Sequence, residues 1–155
     1  MSGQAPEKHS TVVRDAVARG VAVVGLAGVA LIHVLDAHDT FASSTYKGLL
    51  YIGLITGSIA AAGVLLRRND ARAWAAAGAL SLGAFLAFVV SRTVGLPQGA
   101  DDIGNWWEPL GLASLFVEGC VVALSASVLA ERLRAQASLP VRPFVRASRL
   151  ERSFG

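Results

Sequence analysis

Charge and cysteine are what this chain has least of. Only 16% of its 155 residues are Asp, Glu, Lys or Arg, against about 25% in an ordinary soluble domain. It has one cysteine, Cys120, so no intrachain disulfide can form and a small disulfide scaffold is excluded. A lone cysteine in an apolar run is expected to pack as a small hydrophobe. Motifs that carry chemistry are missing too. There is no glycine-rich phosphate loop, no CxxC pair, no HExxH and no GxSxG elbow. Nothing joins a nucleophile to a base and an orienting group, so no enzyme class is supported. The basic residues do not interleave with aromatics as they would in a nucleic-acid groove, so no nucleic-acid partner is expected. The apolar/polar alternation of barrel strands is absent.

Apolar side chains fill the space these absences leave. They make up 54% of the chain, and the mean hydropathy is +0.53. A soluble domain of this size buries only about two-thirds of its surface on folding. It cannot hide that much apolar area, so an integral membrane protein is expected. The charges cut the chain into four apolar runs, placed at about 16–36, 47–66, 73–92 and 107–130. Each is close to the ~20 residues that cross a ~30 Å hydrocarbon core. The fold expected is therefore all-α, a four-helix transmembrane bundle over 14–132. A mobile polar tail (1–13) precedes it and a basic tail (133–155) follows. The first run lacks a convincing small-x-small cleavage site, so it reads as an uncleaved first span.

Orientation follows from Lys and Arg. Twelve fall on the side of the termini and of the Arg67–Arg72 turn; only Lys47 and Arg92 fall on the other. By the positive-inside rule both termini are cytoplasmic, in the plasma (inner) membrane. The opposite, outer side is acidic, with Asp36, Asp39, Asp101, Asp102 and Glu108. Trp106 and Trp107 are placed at the outer interface and Trp74 at the inner one. The outer loop Thr93–Asn105 holds Gly95, Pro97, Gly99 and Gly104 and reads as a lid. The short outer loop near 37–46 joins spans one and two. Gly53, Gly57 and Ala61, and likewise Gly119, Ala123 and Ser127, repeat every four residues. Such spacing packs helices closely, within the chain or in a homo-oligomer. The Arg-rich C-terminal tail is suited to anionic lipid or to a cytoplasmic partner.

Ionisable residues in a span are candidates for function because burying them is costly. His33, Asp36, His38 and Asp39 cluster at the outer end of span one. His33 and Asp36 share a helical face. His38 lies about 140° around from His33 and joins it only if the helix ends near Asp36. The pair suits a metal or haem, or proton transfer, or mere solvation. Glu118 lies ten residues beyond Glu108, about 15 Å inward along a helix and near mid-membrane. It shares a stripe with Ser114 and Ser125 and is expected to be protonated or paired, with His33 and Arg92 as possible partners. Arg92 is expected to pair with Asp36, Asp39 or Glu108 and so to pin the lid to span one.

The histidine ending span one, the run Ser91-Arg92-Thr93-Val94-Gly95-Leu96-Pro97 and Glu118 together resemble a group of small four-helix membrane proteins common in actinobacteria and their neighbours. The likeness covers roughly residues 20–130. It implies the fold, the membrane location and a single polar site holding His33, Arg92 and Glu118; it implies no reaction. Where that group has an acidic residue some five positions before the span-four Glu, this chain has Ala113 and Ser114. A multi-carboxylate metal site is weakened accordingly.

The function expected is that of a small non-enzymatic inner-membrane protein, an accessory or scaffold subunit with an outward-facing polar site, alone or within a larger complex. Two alternatives stay open: a metal- or haem-binding redox protein using His33 and His38, and a small oligomeric ion or solute permease using Glu118.

Overall fold

The computed structural model describes residues 5–138. Residues 1–4 and the tail from 139 on, with its expected anionic-lipid contact, lie outside the described residues. In hydrocarbon a chain must satisfy its own backbone polar groups, which favours helices wherever no breaker intervenes. Four helices result: α1 (Ala5–Ser43), α2 (Thr45–Arg67), α3 (Ala71–Thr93) and α4 (Pro109–Ala137). All four are long and apolar enough to cross a membrane, and no strand occurs among the described residues. The chain is thus an all-α, multi-pass membrane protein. The helices run alternately up and down. α1 pairs with α2, α3 with α4, and α1 with α4, while α2 and α3 form the weakest of the four neighbouring contacts. Both described ends lie beside the Arg67–Arg72 turn, here called the basic end; the segment 94–108 marks the loop end.

The bounds of α1 differ from the sequence expectation on both sides. The helix starts at Ala5, not near 16, so residues 5–13 are helical and not part of a loose tail. Pro6 is compatible with a first turn, and no proline or glycine lies between Pro6 and Gly20. At the other end there is no loop over 37–46. No glycine or proline separates Gly28 from Gly48, so the helix continues to Ser43 and only the extended Ser44 divides α1 from α2. The 39 residues of α1 span about 58 Å, well beyond a ~30 Å hydrocarbon core. α4 also runs on, past 132 to Ala137. The two extensions lie side by side, joined by the exposed Arg14–Glu131 ion pair.

The apolar core fills the basic half of the bundle, around Leu26, Leu65, Ala77 and Val121. Trp74 belongs to it: it is 1% exposed, not at a lipid interface, and donates its indole N–H to Asn69 Oδ1 at 2.8 Å. The cluster it belongs to combines small alanines (Ala22, Ala61, Ala73, Ala77) with Leu26, Leu65 and Val121. Small residues let the helices close. A Cβ on Gly78 would meet Ser125 Cβ at 2.9 Å, and one on Gly57 would meet Leu80 at 3.2 Å. With Ala61 buried, the Gly57–Ala61 part of the α2 seam packs within the chain. On α4, a Cβ on Gly119 would meet Phe85 at 3.7 Å, while Ala123, Ser127 and Cys120 are exposed. Cys120 therefore does not pack inside the bundle, because the inward face of α4 is the Ser114–Glu118–Val121–Ser125 stripe.

Asn69 ties the basic end together. Besides Trp74, it receives Arg132 Nη1 on its carbonyl at 2.9 Å and Nη2 on Oδ1 at 2.7 Å. Asp70 caps α3 by accepting from Ala73 N at 2.8 Å.

Candidate functional site

The weak α2–α3 contact leaves a cleft in the loop-end half of the bundle. It encloses about 820 Å³ and is lined from all four helices and the 94–108 segment. Small-molecule pockets typically hold about 300–1,000 Å³. One flank is apolar, formed by Leu50, Leu54, Leu80, Ala84 and Phe88; the polar groups stand on the other walls and at the mouth.

Deep in the cleft lies Glu118, 1% exposed. Its Oε1 accepts from Ser114 Oγ at 2.7 Å and lies 3.9 Å from His33 Nε2. Its Oε2 is buried without a hydrogen-bond partner. One turn of α4 separates Ser114 from Glu118, which is why the hydroxyl reaches the carboxyl. His33 comes from α1 and is itself buried. Its Nδ1 lies 2.8 Å from the Val29 carbonyl, which can only accept, so Nδ1 carries the proton. Nε2 is thereby turned to Glu118. Tyr51 of α2 sets its ring edge against the His33 imidazole, centroids 4.7 Å apart. Its hydroxyl donates to Asp36 Oδ2 at 2.9 Å, and Thr40 donates to the same oxygen at 3.3 Å. A polar track therefore runs from Asp36, through Tyr51 and His33, to Glu118.

The mouth is held by an ion-pair cluster. Asp102, in a short 3-10 turn (Ala100–Asp102), receives Arg92 Nη1 at 2.8 Å and Lys47 Nζ at 3.1 Å. Arg92 Nη2 lies 4.0 Å from Glu108, and its guanidinium sits 4.7 Å above the Phe88 ring. Its Nε has no partner. Glu108 caps α4 by accepting from Leu110 and Gly111 N–H groups. Partial burial pushes the Asp102 carboxyl up, but hydrogen bonds and charge from Lys47 and Arg92 outweigh it and hold the group below its ordinary range. Gly104 N closes the segment onto Arg92 O at 2.9 Å; Gly95 (φ +84) and Gly104 (φ +80) supply left-handed turns that favour glycine. Trp106 packs edge-on against Phe88, and Trp107 is 85% exposed.

The residues singled out from sequence divide as follows. His33, Asp36, Arg92 and Glu118 line one cleft. His38 does not join them. It is exposed, its side chain 93% accessible beside Asp39, because α1 continues through Asp36 and carries His38 around to another face. His33 and His38 thus make no metal or haem pair, and among the described residues no three His, Cys, Asp or Glu side chains gather as metal ligands. Arg92 pins the loop segment, but to α3 and, through shared Asp102, to Lys47 of α2; the clamp does not reach α1. Of its expected partners only Glu108 is in range.

Tyr51, Lys47 and Asp102 complete the site and were not picked out by sequence spacing. The available signal for Tyr51 was its hydroxyl within an apolar run, since a buried tyrosine O–H usually finds an acceptor. Compared with protein-family models, curated proteins and solved structures, the chain matches none of them.

Proposed function

We propose that this chain is a small non-enzymatic protein of the plasma (inner) membrane that binds a ligand in its polar cleft, as an accessory protein to a larger membrane process. The observation that carries the reading is Glu118: a carboxyl 1% exposed, with one oxygen unpartnered, inside an open cleft of ligand size. A buried polar group without a partner costs about 1–3 kcal/mol, and a bound ligand is the simplest way to recover it. The twelve-to-two distribution of Lys and Arg supports a cleft that opens outward. The sequence holds no motif of a known catalytic class, which favours binding over catalysis.

The test is carbodiimide labelling in lipid nanodiscs, read by peptide mass. Glu118 is expected to be modified, and Glu118→Gln to lose that adduct alone. Labelling confined to surface carboxyls outside the cleft, such as the exposed Asp101, would remove the reading.

A second reading, a small oligomeric permease working through Glu118, is favoured by one observation. A second cavity of about 430 Å³ lies between α2 and α3 toward the basic end, and Leu80 lines both. Leu80 packs against Gly57 there, so the two spaces meet at one side chain. Proteoliposome uptake that Glu118→Gln abolishes would favour this reading over simple binding.

A further inference from the structure

We infer that the cleft takes an organic ammonium ion, with its N–H group on Glu118 and its apolar body along the α2–α3 flank. This rests on the ligand-binding reading above and names the ligand's chemical class.

Charge selects the sign. Every ionisable group facing the cleft can be assigned to an element. α1 contributes His33, Asp36 and Asp39; α2 contributes Lys47 and Tyr51; α3 contributes Arg92. Asp102 comes from the loop segment, and Glu108 and Glu118 from the start and body of α4. Five carboxyls thus face two permanent cations. Both cations are committed to the mouth, where Asp102 bridges them. No full positive charge among the described residues reaches Glu118; its only neighbours are the Ser114 hydroxyl and the His33 imidazole. An anionic ligand would meet uncompensated carboxyls, whereas a cation would be paired in a site of low dielectric.

Hydrogen bonding selects the head group. Glu118 Oε2 is an acceptor with nothing to accept. A primary ammonium offers three N–H donors; a quaternary ammonium offers none. Nε2 of His33, with Nδ1 committed to Val29, is a second acceptor 3.9 Å from the same carboxyl. Two convergent acceptors suit a donor-rich cation better than a bare one. Shape selects the body. The flank of Leu50, Leu54, Leu80 and Phe88 offers apolar contact but no hydrogen-bond partner. A small inorganic cation would leave that surface unused.

Electroneutrality sets the stoichiometry. Without the ligand, no full charge offsets Glu118, so the carboxyl either holds a proton or shares one with His33. On binding, the Glu118 O–H bond gives up its proton to the aqueous mouth, and the ammonium takes its place beside the carboxylate. One cation enters and one proton leaves.

The test is calorimetric titration of the full-length protein in nanodiscs with benzylammonium, run in two buffers of different ionisation enthalpy to count protons. The expected result is one site, with release of up to one proton per benzylammonium. Affinity should be at least about tenfold weaker for benzyltrimethylammonium and for the neutral analogue benzyl alcohol, as loss of hydrogen bonds to a charged group implies. Glu118→Gln should lose the proton release. The two analogues probe the unaltered protein, so the inference stays testable if that variant does not fold. Equal affinity for benzyl alcohol would overturn it, as would benzylammonium binding without proton release. If Glu118 is labelled by carbodiimide and benzylammonium does not bind, the ammonium inference falls alone and the ligand-binding reading stands. If Glu118 is not labelled, both fall.

Discussion

Asp102 shows how much one side chain decides at the mouth of the cleft. Among the described residues it is the only carboxylate shared by Lys47 and Arg92, and those partners hold it below its ordinary range. A carboxylate depressed on folding contributes stability above its unfolded value of about 3.9, and that stability is lost as pH falls through the folded value. The 94–108 segment is therefore expected to loosen only below about pH 4, while the helices persist. Hydrogen exchange at pH 6 and pH 3 reads this directly: Ile103–Asn105 amides should lose protection at the lower pH. Asp102→Asn should exchange fast at both. Equal protection in that variant at pH 6 would mean that backbone bonds such as Gly104 N to Arg92 O hold the segment unaided. Glu118 is the contrasting case, since its environment supplies a hydroxyl and an imidazole but no fixed charge.

Helix ends carry the fold's punctuation. The α2–α3 turn spans only Arg68–Asp70, yet Asn69 accepts from Trp74 of α3 and from Arg132 of α4. Removing its side chain leaves a buried indole N–H and Arg132 Nη2 without their acceptor, while Arg132 Nη1 keeps the backbone carbonyl. Asn69→Ala is expected to cost about 1–3 kcal/mol, visible as a lower midpoint of thermal unfolding in detergent. Trp74 emission should shift to the red as its pocket loosens, a change that Asn69→Asp, which keeps an acceptor, should largely avoid. The Arg14–Glu131 pair on the α1 and α4 extensions is different. Both side chains are exposed, so Arg14→Ala is expected to change stability by less than about 1 kcal/mol in the same assay.

At the scale of the whole molecule, the packing is uneven, and that unevenness makes the cleft. The apolar core sits in the basic half around Trp74 and Leu26, while α2 and α3 separate in the loop half. Orientation is the property to test at this scale. With Cys120 replaced by serine, a cysteine at Gln98 should react with an impermeant maleimide added to intact cells. A cysteine at Asn69 should react only after the membrane is opened. The reverse pattern would place the cleft on the cytoplasmic side.

Composition and charge spacing alone determined that four helices cross a membrane, because a run of ~20 uncharged residues has no better option in either solvent. They also singled out Glu118, since a carboxyl inside such a run is costly to bury; of the two partners expected for it, His33 lies beside it and Arg92 lies at the mouth with Asp102. Rotation about the helix axes and the partners met across the bundle needed the tertiary structure. An aromatic at the end of an apolar run has the same local sequence whether it meets lipid or core, so Trp74 reads as interfacial until its neighbours are known. His38 reads as a partner for His33 only if the helix breaks, and nothing between them breaks it. Tyr51 and Lys47 join the site because α2 lies against α1 and the loop segment. Such contacts join residues far apart in the chain, and no local periodicity encodes them.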